Sequence, residues 1–81
     1  MVTNKDMDKE RLKRYYQVYT NAWKLFRLHA EGDWDDESWT DTIRNAGNLA
    51  RLHEGDEAIY GLAKTIMLDT LDALEREGKR R

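Results

Sequence analysis

The chain has 81 residues, no cysteine and no proline, and 37% of it is charged. That length limits it to one domain, and the lack of cysteine excludes disulfides and thiolate metal sites. A chain this small without covalent staples is held together by helix packing or by a partner.

The formal net charge of −2 offers little long-range attraction for phosphates. It is unevenly spread, with seven Lys/Arg against four Asp/Glu in residues 1–31, two against eight in 32–58, and five against four in 59–81. The opening residues, MVTNKDMDKERLKRYY, contain no apolar stretch of the signal-peptide kind. No apolar run approaches the roughly 20 residues that cross a bilayer. These features predict a soluble, cytoplasmic protein with residues 1–6 and 79–81 frayed.

A first helix is expected over 8–31. Leu12, Tyr16, Tyr19, Trp23, Phe26 and Ala30 recur at spacings of 4, 3, 4, 3 and 4, the signature of one helical face. Gly32 follows as the residue just past the helix end, where a left-handed conformation is cheap. The second helix is expected over 36–53. Asp35 reads as its N-cap, and Trp34 and Trp39 stand at the hydrophobic-staple spacing on either side of that cap. Its apolar stripe runs Trp39, Ile43, Ala46, Ala50 and His53, and small Ala46, Gly47 and Ala50 allow a neighbour to approach closely. Asn45, Gly47 and Asn48 make it the weakest helix of the three.

The turn HEGD supplies Gly55 to end this helix and Asp56 to cap the next. Connections so short join antiparallel neighbours. The third helix, expected over 57–77, has apolar residues on about half its circumference. That is wider than the roughly 100° stripe a surface helix needs, so two other helices are expected to close on it. The prediction is all-α: a single-domain three-helix bundle in antiparallel up-down-up order over 1–81. Its expected core is Leu12, Tyr16, Tyr19, Trp23, Phe26, Trp39, Ile43, Ala46, Ala50, Ile59, Leu62, Ala63, Ile66, Thr70 and Leu74.

Nothing in the sequence marks reactive chemistry. The acidic run from Asp33 lacks the glycine at position 6 and the glutamate at position 12 of a calcium loop, where Ser38 and Arg44 stand instead. His29 and His53 are not arranged to place two imidazoles on one helix face, and each lies near a helix end, where a histidine complements the dipole. No catalytic, cofactor-binding or metal-binding residue is assigned, no cofactor is expected, and the reading is non-enzymatic.

Four apolar residues lie off the stripes. Val18, Leu25 and Leu28 flank the expected core face of the first helix, and Leu68 interrupts the polar face of the third. Together they are the expected surface for self-association, as a homodimer, or for a protein partner. The alternative is a nucleic-acid accessory factor using Lys9, Arg11, Lys13, Arg14 and the basic C-terminal tail, with aromatic rings interleaved among the cations.

The order AWKLFRLHAE, a short acidic loop, DESWTDTIRNAGNLARLHEG and AKTIMLDTLDALERE resembles a group of small, largely uncharacterised helical bacterial proteins over about residues 15–77. The resemblance implies a helical fold, a bacterial source and an accessory role of the kind found in mobile or phage-like DNA. It carries no catalytic residues with it.

Overall fold

Asp8 opens the first helix: its carboxylate accepts from the backbone N–H of Glu10 at 3.0 Å, satisfying an amide that a helix start leaves free. The computed structural model describes residues 8–81, in which α1 runs Lys9–Glu31, α2 Asp36–Arg51 and α3 Glu57–Lys79. Among the described residues there is no strand, and every pair of helices is in contact. The architecture is the expected all-α three-helix bundle. The expected frayed segment 1–6 lies outside the described residues.

Two contacts fix the up-down-up order. Arg11, near the start of α1, binds Asp56, which caps the start of α3, at 2.5 Å. At the far end of the bundle Trp34, just before α2, lies against Gly78 near the end of α3. Helices α1 and α3 therefore run parallel, with α2 antiparallel to both.

The capping residues act as expected. Asp35 accepts from Ser38 N–H at 2.8 Å and Asp56 from Ile59 N–H at 3.2 Å. Helix α2 stops two residues before the expected end, at Arg51. Its last turn tightens through three-residue-apart bonds from Leu52, His53 and Glu54 to Leu49, Ala50 and Arg51, a common way to close a helix.

Gly32 stands just past the end of α1 as expected, but not in a left-handed conformation, since no described residue has a positive φ. Gly32 is extended, and a Cβ there would stand 3.0 Å from the carbonyl oxygen of Leu28. Gly78 lies inside α3 rather than beyond it, and a Cβ there would stand 3.3 Å from the Trp34 ring. Arg81, expected to fray, places its guanidinium 4.5 Å from the centre of that ring.

The core is built from small side chains. Val18, Ala22 and Leu25 of α1, Ala46 and Ala50 of α2, and Ile59, Ala63, Met67 and Leu74 of α3 are its buried hydrophobics. Four of those nine are alanines, so the helices approach closely. This corrects the expected core of α1. Leu12, Tyr16, Tyr19 and Trp23 are 58–69% exposed, and Ile43 of α2 is also exposed. Val18 and Leu25, expected on a partner surface, are 1% and 5% exposed.

The physical reason is steric. Helix α1 carries two apolar faces of equal period, and Val18, Ala22, Leu25 and His29 repeat at 4, 3 and 4 just as the aromatic stripe does. Ala46, Ala50 and Ala63 leave room for the slim face only. Helix α1 is accordingly turned by roughly 100° about its axis from the expected orientation.

Candidate functional site

The rotation of α1 leaves its largest side chains outside. Leu12, Tyr16, Tyr19 and Trp23 follow one another along about three turns of helix and are more than half exposed. Trp23 and Phe26 lie nearly parallel, with ring planes 13° apart and centroids 6.2 Å apart. Beside them Ile66, Thr70 and Ala73 of α3 complete an apolar groove of about 390 Å³. Half-buried Leu62, one turn before Ile66, continues the α3 side of it. The result is one apolar face over α1 and α3.

Charge borders this face unequally. Lys9, Lys13, Lys24 and Arg27 of α1 are exposed and follow the stripe on its side away from α3. Asp69 lines the groove from the α3 side. Asp72 lies on that same flank and pairs with Arg76 at 3.1 Å.

The sequence-predicted partner residues do not converge. Val18 and Leu25 are core. Leu28 is 70% exposed but lines a different groove, with Asp41 and Asn45 of α2. Leu68 is 67% exposed and lies with Ile43 and Gly47 in a third groove, between α2 and α3. Of the cations in the nucleic-acid alternative, Lys9, Lys13 and Arg14 are exposed. Arg11 is committed to Asp56 and lies 5.8 Å from the centre of the Tyr15 ring. The hydrogen bond and charge of Asp56 raise the Arg11 guanidinium further above its ordinary pKa.

Asp56 is the hinge of the N-terminal end of the bundle. The backbone N–H of Ile59, then the side chain of Arg11, hold its carboxyl below the ordinary aspartate pKa. The sign follows from the direction: a depressed folded pKa contributes stability above the unfolded value and loses it as pH falls below about 3.8. Replacing Asp56 by alanine removes the α3 cap and the α1–α3 ion pair together. The melting temperature is expected to fall by a few degrees at neutral pH, and the difference from the parent to shrink in acid. Thermal melts followed by circular dichroism check this.

The two histidines are buried at opposite ends. His29, at the C-terminal end of α1, shares a 2.8 Å hydrogen bond between Nδ1 and the Thr42 hydroxyl. The Trp34 and Trp39 rings meet it edge-on, with centroids 4.8 and 5.5 Å away, so the two staple tryptophans close over its imidazole. His53, after α2, is 4% exposed, and among the described residues neither ring nitrogen has a hydrogen-bond partner. Burial first, then the charge of Arg14, lowers its pKa against the opposing pull of Asp56. Thr42 and His53 are about 16 Å apart along a helical path, so the imidazoles do not meet. Among the described residues no three His, Asp or Glu side chains converge as a metal site, and no helix is long and apolar enough to cross a membrane.

Comparison with protein-family models, with curated proteins and with solved structures gave no match to this chain. The geometry of the α1/α3 face therefore carries the functional argument.

Proposed function

We propose that this chain is a non-enzymatic protein-interaction module that binds through the apolar face of α1 and α3. One observation supports this above the others: three large aromatic side chains of α1 stand more than half exposed, while alanines take four of the nine buried hydrophobic positions of the core. Contiguous apolar surface bordered by charge is the usual mark of an association site. Tyr and Trp are the residues that most often anchor one. A bacterial accessory role, as the sequence resemblance implies, and a cytoplasmic location, as the sequence features predict, belong to the same proposal.

Photo-crosslinking tests it. A benzophenone side chain placed at Tyr19 or Trp23 in living cells is expected to give discrete protein adducts, and the same group at Glu75 of α3 none. Absence of adducts at both stripe positions sinks the reading. Because Tyr19 contributes little to the core, Tyr19→Ser is expected to change the unfolding free energy of the monomer by no more than about 0.5 kcal/mol.

A second reading has one observation in its favour. Exposed Tyr16, Tyr19 and Trp23 beside Lys9, Lys13 and Lys24 form a stacking surface with cations, as single-strand binders use. It predicts quenching of Trp23 fluorescence by a single-stranded oligonucleotide, relieved steeply by salt. The net charge of −2 and Asp69 in the groove oppose it.

A further inference from the structure

Resting on the interaction-module reading, we infer that the occupant of the α1/α3 face is a second copy of the chain. The two copies are related by a two-fold axis parallel to the helices, so that α1 of each lies on α3 of the other.

The size of the face suits this occupant. A 23-residue helix is about 35 Å long, and two helices side by side are about 20 Å wide. The resulting face of about 700 Å² approaches the roughly 800 Å² per partner that stable complexes bury.

Charge and register choose the arrangement. The Arg11–Asp56 bridge sets α1 and α3 in parallel with an offset of 45 residues. By that offset Lys24 stands level with Asp69, and Arg27 with Asp72. An axis parallel to the helices preserves these levels while exchanging the two flanks. The basic flank of α1 then meets the Asp69 side of α3 of the second copy, with Lys24 opposite Asp69 twice over. Among the described residues neither Lys24 nor Asp69 has an ion pair within the chain.

The other closed arrangement has its axis across the helices and sets α1 antiparallel on α1. It brings Lys13 of one copy towards Lys24 of the other, a like-charge contact that disfavours it. A two-fold interface uses the same patch on both copies, so each favourable contact is made twice.

The test is a charge swap on the full chain, followed by light scattering after size exclusion, with helicity checked by circular dichroism. The parent chain is expected to be dimeric and Trp23→Glu monomeric. Lys24→Glu and Asp69→Lys each place like charges at both symmetric contacts and are expected to weaken association about tenfold. Mixing the two variants, or combining both changes in one chain, is expected to restore dimerisation.

A parent that stays monomeric at millimolar concentration overturns the second copy as occupant; stripe adducts to other proteins would then leave the interaction-module reading standing. Quenching of that monomer's Trp23 by an oligonucleotide would award the face to nucleic acid. A dimer in which neither mixing nor the double change restores what the single changes lose overturns the arrangement.

Discussion

Leu25→Ala is expected to cost about 2–5 kcal/mol of unfolding free energy, and Leu28→Ala less than about 0.5 kcal/mol. The two leucines are three residues apart on α1 and chemically identical, but Leu25 is 5% exposed and Leu28 70%. Truncating the first leaves a cavity where α1 meets the other two helices, among small neighbours that have little side chain to move into it. Truncating the second removes surface already in water. For a domain of 81 residues the whole stability is roughly 4–12 kcal/mol at about 0.05–0.15 kcal/mol per residue. The first change thus threatens folding, and the second does not. Urea unfolding of both variants measures the contrast. Equal losses would mean that α1 is oriented with its aromatic stripe inward.

That contrast marks where the sequence is legible and where it stops. The caps Asp35 and Asp56 and the helix order follow from local chemistry, because each depends on residues a few positions apart. The orientation of α1 does not. Its two faces share a period, and only the breadth of the gap between helices decides between them. That breadth is set by Ala46, Ala50 and Ala63 on other elements. Reading those alanines against α1 is the signal that finds it, since close helices exclude the larger phenol and indole rings of the stripe from their seam. Once α1 is turned, Val18 and Leu25 leave the candidate surface, and Tyr16, Tyr19 and Trp23 enter it.

Glycine needs were also non-local. Gly78 admits the Trp34 ring across the bundle, although spacing alone reads it as a helix stop. Hydrophobic pattern places His53 on the apolar stripe of α2, but it does not reveal that both ring nitrogens lack a partner among the described residues.

His53→Leu is expected to stabilise the fold at neutral pH by about 1–3 kcal/mol, the usual cost of a buried polar group without a partner. Leucine fills nearly the same volume and carries no atom that needs a hydrogen bond. The pH dependence follows from the lowered pKa. In the unfolded chain His53 binds its proton near the ordinary value of 6.5, and in the fold only at a lower pH. Between those values the unfolded state holds more protons, so stability falls as pH falls. Arg14 sharpens the effect by opposing a second positive charge beside it, and Asp56 softens it. Asp35 and Asp56, whose carboxyls are held below their ordinary value of 3.8, weaken the fold only in stronger acid, so the windows are separate. The stability advantage of His53→Leu over the parent should therefore widen as pH drops from about 7.5 to about 5, as read from urea midpoints along that range. An advantage that stays constant with pH would mean that His53 titrates alike in both states. Burial without a partner would then not govern its charge.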